Sequence, residues 1–274
     1  MKKKVQTFLI FLQIFIIALA STNAFAVNFY DGARAQGNYF LSYTSVYLAD
    51  ETTDSSGKKN KDSYNLTKAE ELLRWCYYKG DFVASALVPV DYMSVGSLNQ
   101  ESSGLGDISL GTGYFLPFKK IDILPMLFVK FPTGEYNADK AVNIGTNQYD
   151  IRPVIFLYKS LGKFSIDAAA KYFIRLKNPA TNVLPGDEFH LQGLFGYNVT
   201  DRFKIGPSIN WMISRDREVN GTKVPDSARE SLSVGADIYY RFSKVSVTAT
   251  YLYDAYAENL PKGHFFQLKA VYRF

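Results

Sequence analysis

The sequence is poor in the residues that form disulfide bonds and metal sites. It has one cysteine, Cys76, and two histidines, His190 and His264, in 274 residues. A single cysteine excludes an intramolecular disulfide and the cysteine clusters of zinc and iron–sulfur sites. The sequence also has no GxxxxGK[ST], HExxH or GxSxG motif for phosphate binding, metalloproteolysis or ester hydrolysis. We therefore expect neither a cofactor nor a metal ion.

A strong excess of one charge is also absent from most of the chain. The formal net charge is +5, but Lys2, Lys3 and Lys4 supply three of the 31 basic residues. The rest of the chain has 28 basic and 26 acidic residues. This balance argues against a nucleic acid as a partner, because a nucleic-acid-binding surface needs a marked basic excess.

The long apolar run of the sequence lies at the N-terminus. Residues 8–20 are mostly apolar, follow the three lysines and precede Ala24-Phe25-Ala26. A charged start, an apolar run and a small-residue cleavage site are the three parts of a secretory signal peptide. The run is also shorter than the about 20 residues that span a bilayer. We predict a signal peptide at 1–26, Sec-type export and a mature chain that begins at Val27.

The remaining chain alternates between apolar and polar residues with a period of two. In the last run, Phe266, Leu268 and Tyr272 share one parity, and Gln267 and Lys269 share the other. The two parities of a β-strand face opposite sides. The runs are about ten to thirteen residues long, which suits a tilted strand that crosses a bilayer better than a strand of a soluble sandwich.

The connections between these runs alternate between short and long. Short connections are predicted near residues 79–81, 117–120, 161–162, 200–201 and 243–244, and long ones near 50–65, 96–104, 133–147, 177–187, 215–229 and 257–262. Short periplasmic turns and long extracellular loops are typical of outer-membrane barrels. We therefore predict an all-β fold, a single antiparallel transmembrane β-barrel of about 12 strands over residues 37–274, embedded in outer-membrane lipid.

Some segments fit this barrel less well. Pro125, Pro153 and Pro207 lie inside predicted strands and remove hydrogen-bond donors, so we expect bulges there. Residues 66–75 alternate poorly, and a short helix is an alternative. The segment 27–36 precedes the first strand, and both a plug inside the barrel and a flexible periplasmic tail are compatible with its sequence.

Several short motifs resemble those of a known family. They are Gly106-Asp107-Ile108, Phe131-Pro132-Thr133-Gly134-Glu135-Tyr136, the segment 143–149, the segment 186–190 and the segment 263–268. With these motifs the chain resembles the outer-membrane transporter family named for the meta-pathway of phenol degradation, which includes SphA-like members. The resemblance implies a barrel that passes small, often aromatic or apolar, molecules and has no catalytic residues. The C-terminal Phe274, an ending common among outer-membrane barrels, implies recognition by the barrel-assembly machinery.

The strand parities also give candidate residues for the solute path. With the apolar parity facing lipid, ten polar side chains are predicted to face the lumen: Asp150, Arg152, Asp167, Lys171, Arg175, His190, Lys204, Asn210, Asp237 and Arg241. Mixed charges favour polar or dipolar solutes without strong ion selectivity. Inward Phe156, Phe173 and Phe265 offer a path for aromatic solutes. Each charge also has a structural interpretation, such as an Asp150–Lys171 ion pair across a hairpin.

Three functions are compatible with these patterns. The first is an outer-membrane channel for passive uptake of small organic molecules, aromatic or apolar ones above all. The second is a sealed structural or surface-recognition barrel that acts through its extracellular loops. The third is a lipid-hydrolysing barrel, in which His190 would activate Ser208 or Ser214 across neighbouring strands. We expect a channel rather than an enzyme.

Overall fold

The computed structural model describes residues 26–60 and 64–274. The predicted signal peptide, apart from Ala26, lies outside these residues. Within them, no helix is long and apolar enough to cross a membrane. The strands are β1 Gly37–Thr52, β2 Leu66–Lys79, β3 Phe82–Val95, β4 Gln100–Leu105, β5 Ser109–Tyr114, β6 Asp122–Lys130, β7 Asp150–Leu161, β8 Phe164–Arg175, β9 Val183–Leu184, β10 Glu188–Asn198, β11 Phe203–Ser214, β12 Glu218–Val219, β13 Thr222–Lys223, β14 Glu230–Arg241, β15 Val245–Glu258 and β16 Pro261–Arg273.

Twelve spans close into one antiparallel barrel. Successive spans pair along the chain, and β1 pairs with β16 from Tyr39 opposite Arg273 to Thr52 opposite Pro261, which closes the sheet. Strands β4 and β5 make up one span, because both pair with β3. The short strands β9, β12 and β13 form a separate sheet within the long loops. The predicted fold class and number of strands are confirmed.

The alternating sequence produces an apolar outer surface and a polar interior. On β16, Phe266 and Leu268 are 46% and 50% exposed, whereas Gln267 and Lys269 are 4% and 3% exposed. The same alternation recurs around the barrel, with Ile, Leu, Phe and Tyr side chains on the outside. An apolar surface that surrounds a whole barrel is favourable against lipid and unfavourable against water.

The poorly alternating second run is a strand throughout. Strand β2 pairs with β1 and β3 over nearly its whole length. Two complete hydrogen-bond ladders outweigh the weak alternation of residues 66–75. The alternative of a short helix there is therefore wrong.

The prolines lie in strands as predicted, but they do not cause bulges. Pairing keeps the same register on both sides of Pro125, Pro153 and Pro207. The ladder is instead interrupted beside Pro153 toward β8 and beside Pro207 toward β10, since proline cannot donate a backbone hydrogen bond. The register shifts that do occur lie at Leu48/Glu51 and Leu232/Ser233.

Two of the predicted long loops are turns. Residues 96–99 connect β3 to β4, and residues 259–260 connect β15 to β16. Asn99 and Asn259 have positive φ values of 50° and 51° at these turns. Asparagine tolerates this left-handed backbone, which lets the strands continue into the segments predicted as loops. The other long connections leave the barrel at the same end as these two turns. We call this end the long-loop end and the opposite end the short-turn end.

Candidate solute path

The segment before the first strand, residues 27–36, lies inside the barrel. Asn28 and Phe29 are 0% and 1% exposed. Nδ2 of Asn28 donates hydrogen bonds to Oδ1 of Asp237 at 3.1 Å and to Oγ1 of Thr250 at 2.9 Å. Phe29 belongs to an apolar cluster that includes inward side chains of several strands. The segment therefore contacts the barrel wall through both polar and apolar groups.

Charged groups add to these contacts. The backbone N–H of Tyr30 donates to Oδ1 of Asp167 at 2.6 Å, and Asp31 forms a buried ion pair with Lys269 of β16. Nζ of Lys204 lies 4.1 Å from the centre of the Tyr30 ring, a cation–π distance. The segment is thus tied to β8, β11 and β16, which lie on different sides of the lumen.

At the short-turn end the same segment contacts two turns. Nε of Arg34 lies 3.0 Å from Oδ1 of Asp122, and Nη1 of Arg34 pairs with Asp81. The Gln36 side chain exchanges hydrogen bonds with the backbone of Gly80. The segment therefore reaches from the middle of the lumen to the turn between β2 and β3.

The ten polar residues predicted to face the lumen lie on the inward parity of their strands. Seven are buried: Asp150, Asp167, Lys171, Arg175, His190, Lys204 and Asp237. Arg152 and Asn210 are half-buried. Arg241 lies exposed at the short-turn end, where Nη2 donates to the carbonyl oxygen of Asp201 at 2.9 Å. The alternation thus located the inward face, while a role in transport stays a prediction for each residue.

One group of these charges surrounds Glu188, which is fully buried. Its Oε2 accepts from Nη2 of Arg175 at 2.7 Å and lies 3.0 Å from Nε2 of His190, and its Oε1 is held by Arg229. Glu188 and Arg229 were missed as lumen residues, although Glu188 lies within the motif at 186–190. The lipid-hydrolase alternative pairs His190 with Ser208 or Ser214. In the β10–β11 ladder, however, the residue opposite His190 is Met212.

A second group surrounds Asp150 at the start of β7. Its Oδ2 lies 3.1 Å from Nζ of Lys130 and 2.9 Å from Nη2 of Arg152. Lys171, the partner expected from the sequence, pairs across the ladder with Val154 and not with Asp150. Asp150 faces Arg175 instead, because the register of the β7–β8 hairpin differs from the one assumed.

The loop between β6 and β7, residues 131–149, folds inward at the long-loop end. Val142 is 0% exposed and packs in a cluster with Met93 and Val95 of β3. The backbone N–H groups of Ala141 and Val142 donate to Oε1 of Gln100 at 2.9 and 3.2 Å. Apolar side chains of this loop thus fill space that an extended extracellular loop would leave open.

Asp107, between β4 and β5, holds this loop to the barrel wall. Its Oδ1 accepts from the backbone N–H of Gly134 at 3.0 Å, and its Oδ2 accepts from the N–H and hydroxyl of Thr146 at 3.0 and 2.6 Å. Nζ of Lys130 completes the contacts at 3.1 Å. Gly134 lies so close to Gly145 that a Cβ on either residue would overlap the other's backbone. Three of the motifs that carry the family resemblance therefore meet at one site.

A cavity of about 80 Å³ lies between the N-terminal segment and the barrel wall. Its apolar lining includes the two phenylalanines predicted as an aromatic path, Phe156 and Phe173. Its polar lining includes Arg74, which sequence reasoning missed because β2 alternates poorly. The lining side chains are Ala26, Asp31, Tyr43, Leu72, Arg74, Leu87, Ser109, Phe128, Arg152, Val154, Phe156, Lys171 and Phe173. Among the residues described, no group of histidine, cysteine, aspartate or glutamate side chains is placed to hold a metal ion.

The closed barrel, its apolar outer surface and its charged interior define a β-barrel membrane protein. Residues 37–270 match the family model described as "Putative MetA-pathway of phenol degradation". The match covers most of the chain, so the protein belongs to this family. The resemblance noted from the sequence motifs is thereby confirmed. Among curated proteins, none matches the sequence significantly.

Solved structures share the fold. The crystal structure of an outer membrane channel from Pseudomonas putida F1 has 20% identity and a TM-score of 0.82, and the alignment covers 88% of this chain and 97% of that one. The beta domain of the Bordetella autotransporter BrkA has 12% identity and a TM-score of 0.54, with 88% and 100% covered. The NanC porin has 10% identity and a TM-score of 0.50, with 85% and 100% covered. The fold of this chain is therefore that of an outer-membrane β-barrel.

Proposed function

We propose that the protein is an outer-membrane channel for the passive uptake of small organic molecules, aromatic ones above all. The observation that carries this proposal is the lumen cavity, where Phe128, Phe156 and Phe173 lie beside charged side chains. Pockets that bind small organic molecules combine apolar walls with a few polar groups in this way. The family description, which names phenol degradation, agrees with an aromatic solute.

The apolar outer belt supports a location in the outer membrane. Export by the predicted signal peptide would bring the chain to the periplasm, and Phe274 at the end of the barrel seam would be read by the barrel-assembly machinery. On this topology the short-turn end faces the periplasm and the long-loop end faces the outside. Solute then enters beside loop 131–149 and leaves past the N-terminal segment.

The N-terminal segment 27–36 acts as a plug in this proposal. Its contacts with Asp167, Asp237 and Lys269 hold it inside the lumen, where it narrows the path of a solute. Transport then requires the segment to move. A segment without the continuous backbone ladder of a strand opens more readily than paired strands, and the segment 27–36 is therefore the expected moving part.

Single-channel conductance tests the proposal. We expect small and infrequent currents from the mature protein in a planar bilayer, and larger, steady currents after deletion of residues 27–35. Phenol added to either side should reduce the steady current. A matched control deletes four residues, 55–58, from the loop between β1 and β2, and should leave the current unchanged. No current from either the mature protein or the plug deletion would refute the channel.

That negative result would favour the second candidate, a sealed barrel that acts through its loops. Two features support it: the interior is filled by the ion-pair groups around Glu188 and Asp150, and loop 131–149 covers part of the long-loop end. Deletion of residues 27–35 separates the two candidates, because a sealed barrel stays closed when only the plug is removed.

A further inference from the structure

We propose that the lumen cavity selects single-ring aromatic carboxylates, with the ring against its phenylalanines and the carboxylate among its basic side chains. The inference rests on the proposed channel function and narrows the class of solute. Benzoate is the simplest molecule of this class.

The charge balance of the lining favours an anion. Arg74, Arg152 and Lys171 line the cavity together with a single acidic side chain, Asp31. Asp31 forms its ion pair with Lys269, which does not line the cavity, so its charge is already compensated from another direction. Arg152 is likewise paired with Asp150, which does not line the cavity. Arg74 and Lys171 keep the lining positive, and an anionic solute would reduce this charge.

One wall of the cavity holds a donor that a carboxylate would satisfy. Arg152 uses Nη2 to donate to Asp150, and its Nε–H has no hydrogen-bond partner among the described residues. Neighbouring atoms cover this N–H, so a carboxylate reaches it when the guanidinium group turns toward the cavity. An unsatisfied buried donor is unfavourable, and a guanidinium group offers paired N–H groups whose spacing matches the two oxygens of a carboxylate. A carboxylate at this position would therefore gain more than a hydroxyl group would.

An aromatic ring has a matching place next to this donor. The guanidinium carbon of Arg152 lies 4.8 Å from the centre of the Phe173 ring. This cation–π contact places the guanidinium group beside an apolar surface. Phe128 and Phe156 continue that surface along the cavity wall. An aromatic ring with a carboxylate attached to it would therefore contact the phenylalanine surface and the guanidinium group of Arg152 at the same time.

The size of the cavity suits one ring. A volume of about 80 Å³ holds roughly six water molecules, which together displace on the order of 180 Å³ of liquid. A benzene ring with one small substituent is of this size. Ala26 also lines the cavity, so cleavage after Ala26 would enlarge it. The same cleavage would leave the new α-ammonium group of Val27 at its edge, as a further positive charge.

Calorimetric titration of the protein purified from outer membranes, with its N-terminus verified by mass spectrometry, tests the inference. The probes are benzoate, its neutral analogue benzamide, and acetate, which has the charge without the ring. We expect benzoate to bind about 10- to 100-fold more tightly than either of the other two, the range that charge-assisted hydrogen bonds give.

Two variants locate the effect. Arg152→Gln should reduce benzoate affinity to that of benzamide and leave benzamide binding unchanged, whereas Arg152→Lys should retain part of the preference. Lys163→Gln, in the exposed turn between β7 and β8, removes one positive charge away from the cavity and should change nothing. Resistance of each folded barrel to detergent and heat on gels confirms that the variants are folded.

The other outcomes overturn the inference in distinguishable ways. Equal binding of benzamide and benzoate would mean a neutral aromatic site, and equal binding of acetate would mean an anion site without preference for a ring. Absence of binding by all three probes would refute the cavity as a solute site. The current of the 27–35 deletion then decides independently whether the channel function also fails.

Discussion

Removing the carboxylate of Asp107 should release the inward loop while leaving the barrel intact. Asp107 is 9% exposed and accepts three hydrogen bonds from the loop, from Gly134 and Thr146. Substitution by alanine leaves those backbone N–H groups without an acceptor. Lys130 keeps its second carboxylate partner, Asp150, at 3.1 Å, so the substitution does not isolate a buried charge.

The size of the effect follows from these contacts. Hydrogen bonds to a charged group contribute about 1.5–3 kcal/mol each and are not additive within one group. We therefore expect Asp107→Ala to weaken docking of the loop by about 3 kcal/mol, which corresponds to a roughly 100-fold larger undocked population. Asp107→Asn keeps one acceptor oxygen and should fall between the wild type and Asp107→Ala.

Hydrogen–deuterium exchange of residues 131–149 measures this population. The amides of Ala141, Val142 and Thr146 should exchange about 100-fold faster in Asp107→Ala, while strands β8 and β10 stay protected. Asp139→Ala, an exposed carboxylate of the same loop, is the matched control and should have no effect. Unchanged exchange in the loop, or equal acceleration across the whole barrel, would refute the assignment of Asp107 as the tether.

Two further predictions concern the ends of the chain. Asp31→Asn breaks the buried ion pair with Lys269 and should raise the hydrogen–deuterium exchange rate of amides 28–33 about 100-fold. The reason is that a buried charge that loses its partner costs about 3 kcal/mol or more. Unchanged rates would mean that the pair does not hold the segment. Deletion of Phe274, which is 74% exposed, should lower the amount of barrel in the outer membrane several-fold without changing the thermal stability of protein refolded in detergent, and equal membrane levels would contradict a role in assembly.

The barrel could be predicted from the sequence because a period of two leaves a direct trace. Each strand has to face lipid on one side and the lumen on the other, so Phe266 and Lys269 reveal their sides without any tertiary information. The number of spans follows from counting such runs. The exact ends of strands could not be predicted, because single residues such as Asn259 decide whether a strand continues into a turn.

The partners of the lumen charges could not be predicted, since they depend on register. Glu188 contacts Arg175 on the neighbouring strand and Arg229 from a loop more than 40 residues away in the chain. The sequence suggested Lys171 as the partner of Asp150 across the β7–β8 hairpin, whereas the observed register places Arg175 opposite Asp150. Sequence parity identifies the face of a residue, but it does not determine its height in the barrel.

The inward loop and the N-terminal segment lacked any periodic signal. In the sequence, Gly134 and Gly145 were notable only because they belong to motifs that resemble a family. In the structure, the two glycines approach each other closely. The position of the segment 27–36 was open between plug and tail because its contacts with the barrel involve residues 44 to 240 positions away. Long-range contacts of this kind leave no local pattern.

The contacts of the N-terminal segment also constrain the order in which the protein folds. Asn28 and Asp31 bind residues of β14, β15 and β16, the last three strands in chain order. Strand β16 also has to pair with β1, directly after this segment, to close the barrel. Residues 27–36 must therefore be enclosed while the sheet curls around them. Closure of the seam and internal docking of the N-terminus are expected to occur as one late, cooperative step of folding.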